Sequence, residues 1–322
     1  MSGERPLRIA IVAGEESGDL LGADLVAALG RLTGRPVELT GVGGRHLGEL
    51  GLRPLFDGSE IALMGITAVL RDLPRLVRRI GQTASAIVEA KPDCLVTIDS
   101  PDFSLRVTRK VRAAAPEIPI VHYVCPSVWA WRPGRAPAMR SHVDKVLCVL
   151  PFEPEALSRL DGPEGVYVGH RLATHPGLLA ARAAQAARPV AGRTGAKRLL
   201  VLPGSRRSEA RRLLEPFGET LRLLGQRCND FEVTIPTVPH VAALVEEAVA
   251  GWPARPRIVS DEAGKWQAFG QADAALAASG TVSLELALAG VPLISCYRTD
   301  WIWSAMMRFI TVWSASLPNL IA

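Results

Sequence analysis

Residues 272–297 read ADAALAASGTVSLELALAGVPLISCY, and their pattern decides the fold class. Ala274–Ala278 is an apolar run of strand length. Ser279-Gly280-Thr281 is a turn able to start a helix, Val282–Ala289 is helix-compatible, and Gly290 and Pro292 stop it. Leu293–Tyr297 returns as a second buried strand. Such a unit leaves free backbone N–H groups at a helix N-terminus, aimed outward at the carboxyl end of a parallel sheet, and that is an anion site. Glu285 lies one turn in, placed to reach a sugar hydroxyl beside a phosphate held by the turn. The plainer reading has Glu285 complementing the helix dipole and Thr281 as an ordinary N-cap.

The sequence has 322 residues, 48% hydrophobic and 21% charged, enough for two α/β domains with full cores. A net charge of +5 suits anionic small molecules or an anionic membrane surface and is too weak to imply nucleic acid. Cys94, Cys125, Cys148, Cys228 and Cys296 form no CxxC pair and read as buried, reduced thiols of a cytoplasmic protein. The opening MSGERPLRIAIVAG has too short an apolar run for a signal peptide. No uninterrupted apolar stretch reaches the length of a membrane span, so a soluble or peripheral protein is expected.

In the first half, Leu7–Ala13 is a buried strand followed by Gly14-Glu15-Glu16-Ser17-Gly18-Asp19 and a helix. The geometry is phosphate-loop-like, with neither the Gly-Lys-Ser/Thr ending of a P-loop nor GxGxxG. Gly14 and Gly18 bracket a turn where a ligand can approach; Ser17 or Asp19 as a simple helix cap is the competing reading. Val37–Val42 is a second strand ending in Gly43-Gly44-Arg45. In residues 65–80, GITAVLRDLPRLVRRI, apolar Ile66, Val69, Leu70, Leu73, Leu76, Val77 and Ile80 recur at helical spacing among Arg71, Arg75, Arg78 and Arg79. This is either a membrane-facing basic amphipathic helix or a core-facing helix with a solvated basic side. The strand Asp93–Ile98 leads into Asp99-Ser-Pro-Asp-Phe, and ligands of open parallel sheets bind outside strand carboxyl ends, so Asp99 stands where a general base belongs. Asp102 competes with it, as a base or as the cap of a helix over Phe103–Ala115. Strands at 119–125, 143–150 and 166–170 complete this half; the loop Pro126–Arg132 carries two tryptophans.

Residues 175–196 look like a linker with a short helix. A second alternating unit starts with the strand Arg198–Pro203 and the turn Gly204-Ser205-Arg206, where Arg206 is placed to pair with a phosphate. The following helical region is expected to break at Pro216. Strands at 231–236 and 257–260, with helices after each, lead back to the opening stretch. Two Rossmann-like parallel-sheet domains facing across a cleft are expected.

AGEESGDLLGA (13–23), GVGG (41–44), ALMGITAVLRDLPRL (62–76), IDSPDF (98–103), HYVCPSVWAWR (122–132), LPFE (150–153), GH (169–170), LPGSR (202–206), ASGTVSLE (278–285) and SLPNL (316–320) occur in that order. Together they resemble the lipid-A-disaccharide synthase family of bacterial glycosyltransferases over essentially the whole chain. The resemblance implies a GT-B fold, with an N-terminal acceptor and membrane-facing domain over 1–174 and a C-terminal UDP-sugar domain over 175–322. It implies an inverting transfer from UDP-2,3-diacylglucosamine to 2,3-diacylglucosamine 1-phosphate, releasing UDP, at the inner face of the inner membrane, with no metal or other cofactor and no nucleic acid. Carried over residue by residue, it gives Asp99 as candidate base with Glu15 as a second catalytic carboxylate. Gly14, Ser17, Gly18, Asp19, Ser205, Arg206, Ser279, Gly280, Thr281, Glu285 and Asn319 become substrate-binding. The apolar positions of 65–80 match the family's membrane-facing patch. Members run on for several dozen residues past SLPNL, so this chain is expected to be C-terminally truncated, its second domain lacking closing helices and homodimer contacts. Other readings are a UDP-sugar epimerase, a transferase with a soluble acceptor, or an inactive binding form.

Overall fold

The computed structural model describes residues 5–58, 60, 73–188, 195–228, 230–252, 255–298, 314 and 316–321. By its internal contacts the chain divides into Met1–Gly169 and His170–Ala322.

The first unit runs β1 (Leu7–Ala13), α1 (Glu16–Thr33), β2 (Val37–Val42), α2 (Arg45–Glu49), α3 (Leu73–Ala90), β3 (Cys94–Ile98), α4 (Pro101–Ala114), β4 (Ile120–Tyr123), α5 (Arg135–Met139), β5 (Lys145–Cys148), α6 (Glu153–Arg159) and β6 (Glu164–Tyr167). Its six strands are parallel in the order β2-β1-β3-β4-β5-β6. The central strands β1 and β3 read as near-continuous apolar runs because both their faces are covered. On β1, Ile9, Ile11 and Ala13 join Val26 of α1 on one face, while Ala10 and Val12 join Ile80 and Ile87 of α3 and Val107 of α4 on the other.

The second unit runs from a 3-10 turn (Arg171–Thr174) through α7 (Pro176–Ala186), β7 (Lys197–Leu202), α8 (Arg207–Gly225), β8 (Phe231–Pro236), α9 (Pro239–Val249), β9 (Arg257–Val259), α10 (Glu262–Gln271), β10 (Ala274–Ala278), α11 (Thr281–Ala289) and β11 (Leu293–Cys296) to α12 (Leu317–Ile321). Its parallel order is β11-β10-β7-β8-β9. Leu200 and Leu202 face α7, α10 and α11, and Val201 faces α8 and α9. Both units are therefore doubly wound, Rossmann-like domains. Among the described residues no helix is long and apolar enough to cross a membrane.

Two expectations fail locally. Helix α8 continues through Pro216 from Arg207 to Gly225. A proline inside a helix costs about 3 kcal/mol, whereas burying a large apolar side chain contributes roughly 1.5–3 kcal/mol, and Leu213, Leu214, Phe217 and Leu221 are all buried along one face of α8. The second failure concerns α3. Leu76, expected to face a membrane, is 4% exposed and packs in the core with Ile80, Ala84 and Ile87 at helical spacing, while Val77 is 52% exposed. Ile66, Val69 and Leu70 lie outside the described residues, and for Leu73 only the backbone at the start of α3 is described. Arg79 and Arg75 turn to Glu60, at 2.7 and 3.0 Å, and Arg79 also sits 4.5 Å over the Phe56 ring.

His122 on β4 is wholly buried, bonded through Nδ1 to Thr97 at 2.8 Å, and its Nε2 has no partner among the described residues. Burial, then the charges of His142 and Arg135, push its pKa down from 6.5 to about 3. The unfolded chain binds this proton and the folded chain does not. Stability from the neutral ring is thus full above pH 6.5 and is lost as pH falls toward about 3, by up to ~1.4 kcal/mol per pH unit. Urea unfolding at pH values spanning that window should show the loss, and His122→Gln should flatten it. An unchanged slope in the variant would place the acid sensitivity elsewhere.

Candidate active site

In each sheet the chain reverses direction of travel once, between β1 and β3 and between β7 and β10. Crossovers leave to opposite sides there, opening a crevice at the strand carboxyl ends, where ligands of such sheets bind.

In the first unit, Gly14 and Glu15 follow β1 and Asp99 and Ser100 follow β3; the two strands pair up to Ala13 and Ile98. Gly18 lies against both strand ends, where a Cβ would stand 3.6 Å from Ile98 and 3.7 Å from Ala13. Glu15 and Ser17 are exposed and Gly14 is buried. Asp99 and Ser100 have φ of 49° and 44°, a consecutive left-handed pair. Such geometry costs of order 1–3 kcal/mol per non-glycine residue, least for Asp and Asn, and gathers at functional sites. It is braced by Asp99 N–H donating to Tyr123 O at 3.0 Å and Ser104 Oγ–H donating to Asp99 O at 2.8 Å. The half-buried Asp99 carboxylate has no partner among the described residues. Asp102 sits inside the first turn of α4 and does not cap it; Arg135 holds it at 2.6 Å.

Asp19 belongs to the framework instead. It is 3% exposed, and its carboxylate accepts from the backbone N–H groups of Gly44 (2.6 Å), His46 (2.7 Å) and Leu47 (3.3 Å). These are donors that α2 leaves open at its N-terminus. The spacing of the Gly18-Asp19 motif gave no hint of this, because the partner turn lies 25 residues away. The tryptophan loop is likewise pinned: Trp129 Nε1–H donates to Glu153 at 3.3 Å and stacks edge-on against Phe152 at 5.1 Å. Glu153 lies with Cys125 and Cys148 in a buried group whose potential ligand atoms are within 4.8 Å of one another. Glu153 Oε2 already accepts from Val149 and Leu150 N–H, and hydrogen bonding to Cys148 with burial raises the Cys125 pKa and keeps that thiol protonated, so the group reads as packing.

In the second unit, six expected residues gather at one cavity of about 330 Å³. Ser205 and Arg206, beside Gly204, come from the end of β7, Ser279, Gly280 and Thr281 from the end of β10, and Glu285 from one turn into α11. Gly280, at φ 150°, caps α11 with no side-chain cap hydrogen bond, and Ser283 N–H donates back to Gly280 O at 3.1 Å. Thr281 is therefore the first helical residue and not the cap, and the helix N-terminus is open to an anion. Gly204 is at φ 111°, and a Cβ there would fall 2.1 Å from Glu209 Oε2. Burial raises the Glu209 pKa, opposed by Arg206 and by the Ser205 and Arg206 N–H groups. Asn319 lies on α12, its amide donating to Ser314 Oγ at 3.2 Å, and is not among the residues lining the cavity.

Three polar lining residues escape the sequence patterns: Glu209, Thr237 and Lys265. The Thr237 hydroxyl is buried without a partner among the described residues. Lys265 Nζ pairs with Glu285 Oε2 at 2.7 Å.

A family model described as Lipid-A-disaccharide synthetase matches residues 9–322. The lipid-A-disaccharide synthase of Nitrobacter winogradskyi is 52% identical over 98% of this chain and 79% of its own length. That of Bradyrhizobium diazoefficiens is 49% identical over 100% of the chain and 82% of its own length. In fold alone, the chain is similar to a UDP-GlcNAc 2-epimerase from Neisseria meningitidis bound to UDP-GlcNAc (TM-score 0.60, 12% identity, 98% of this chain and 90% of that one). It is also similar to Acinetobacter baumannii MurG (TM-score 0.56, 15% identity, 95% and 83%).

Asp19→Ala should lower unfolding free energy by about 3 kcal/mol, since three backbone N–H groups lose a buried charged acceptor. Chemical denaturation checks this. Wild-type stability with impaired turnover would return Asp19 to the substrate.

Proposed function

Because the chain belongs to the lipid-A-disaccharide synthase family, we propose that its two units divide one glycosyl transfer between them. The protein is a glycosyltransferase of lipid A biosynthesis with two Rossmann-like domains of the GT-B class. In our reading the second unit binds UDP-2,3-diacylglucosamine and the first binds 2,3-diacylglucosamine 1-phosphate. The observation that carries this is the cavity where Arg206, the open N-terminus of α11 and Glu285 meet. A diphosphate suits the first two, and a ring hydroxyl suits the carboxylate.

The acceptor's primary hydroxyl attacks the anomeric carbon from the side opposite the leaving group. Asp99 takes the hydroxyl proton as the new C–O bond forms, with Glu15 the second carboxylate at that strand edge. The bond from the anomeric carbon to the diphosphate breaks, UDP leaves, and the configuration inverts. The α11 dipole and Arg206 balance the charge that develops on UDP, so this reading invokes no metal. Both substrates carry acyl chains, which places the work at the inner-membrane surface; exposed Val77 and Arg78 lie on the side of α3 turned from the core.

Asp99→Asn should reduce kcat by roughly 10²–10⁴-fold, the usual contribution of a general base, while leaving the unfolding midpoint and UDP affinity unchanged. Turnover on the two acylated sugars in mixed micelles is the assay. Retained turnover in a folded variant would remove Asp99 as the base and promote Glu15 or Asp102.

A further inference from the structure

Lys265 lies on α10, the helix before β10, in a stretch that matches no motif. Its ammonium group is 2.7 Å from Glu285 Oε2, with side-chain exposures of 27% for the lysine and 14% for the glutamate. It also lies 4.4 Å over the Trp266 ring and 5.7 Å from the Phe269 ring centre. Trp266 and Phe269 are core residues packed edge to face at 5.4 Å, so the aromatic bed under the lysine is fixed. Both Lys265 and Glu285 line the cavity that holds Arg206 and the α11 N-terminus.

A carboxylate at the wall of a small diphosphate cavity has an electrostatic problem. Left alone it repels the phosphates and swings through several rotamers. A cation bonded to one of its oxygens removes both difficulties and leaves the other oxygen free to accept from a hydroxyl. The aromatic faces beneath hold the cation against that oxygen and away from solvent. We propose that Lys265 is a positioning residue of this site: it orients Glu285 and cancels its charge, so that the carboxylate grips a ribose hydroxyl pair while a diphosphate occupies the adjacent turn. The proposal rests on the nucleotide reading given above. It makes Lys265 act through Glu285 and not on the phosphates.

The experiment is calorimetric binding of UDP and of 2′,3′-dideoxy-UDP to the full chain and to Lys265→Met, Lys265→Arg, Glu285→Gln and the Lys265→Met/Glu285→Gln pair, with circular dichroism and unfolding midpoints as folding controls. Lys265→Met should weaken UDP binding about tenfold, the scale of one hydrogen bond to a charged group. Lys265→Arg should restore most of the loss. The double variant should bind UDP no more weakly than Glu285→Gln, because the lysine has nothing left to orient. Dideoxy-UDP should be weakened by Lys265→Met less than UDP is, because it feels only the uncancelled Glu285 charge and not the lost hydroxyl grip, and in turnover the loss should appear in donor KM with kcat little changed. Equal weakening toward both nucleotides, or additive losses in the double variant, would overturn the proposal by showing direct phosphate contact or a general structural role. An unaffected Lys265→Met would overturn it as well. Failure of folded wild-type chain to bind either nucleotide is a different result: it removes the nucleotide reading itself.

Discussion

Every strand of both sheets is parallel, and that single constraint places the chemistry. Parallel strands send all their carboxyl ends to one edge, and each helix that follows begins there with unpaired N–H groups. Where neighbouring strands send their crossovers to opposite sides, no helix covers the gap. Asp99 stands at the one such gap in the first unit, and Arg206 with Ser279–Thr281 at the one in the second. The alternating faces of β1 and β7 serve the same arrangement: they anchor helices on both sides and leave only the strand ends open.

Charge at the second gap is arranged within a small space. Two like charges 6 Å apart repel by about 3 kcal/mol at an effective dielectric of ~20. A diphosphate entering a cavity lined by Glu209 and Glu285 therefore meets a substantial barrier unless each carboxylate is already engaged. Glu209 lies over the β7–α8 turn against two backbone N–H groups, and Glu285 is paired with Lys265. In the proposed reading, the α11 N-terminus at Thr281 and the exposed Arg206 guanidinium are left to meet the diphosphate.

Much of this was legible in the sequence, for a physical reason. Leu7–Ala13 and Ala274–Ala278 are largely apolar runs, and Val37–Val42 and Phe231–Pro236 alternate apolar with polar residues; all end at glycine, proline or small polar residues, and the strands fall on them. Ser205, Arg206, Ser279, Gly280, Thr281 and Glu285 could be grouped because strand ends of one sheet must converge. Long-range pairing was hidden. Asp19 looked like a ligand group until the backbone of a distant turn filled it, and Lys265 lies in no motif while its partner stands on α11, twenty residues on. Leu76 shows a limit of periodicity: a broad apolar-basic stripe does not say which apolar edge faces the core. Pro216 shows that local propensity yields when enough side chains on the same helix are buried.

The left-handed pair at Asp99 and Ser100 has a consequence for how this chain can vary. A backbone at φ 49° admits asparagine and glycine beside aspartate and resists β-branched side chains. The exchange that would remove the proposed base, carboxylate for amide, is thus also one of the few that the turn accepts sterically. A lineage that lost the activity could keep the fold through one such exchange. A lineage that kept the activity has little freedom to shift the carboxylate to position 100 or to replace it with a bulkier acid. With Asp99 as the proposed base, geometry and reactivity are bound to the same residue, so the turn acts as a filter on sequence drift at the centre of the first unit.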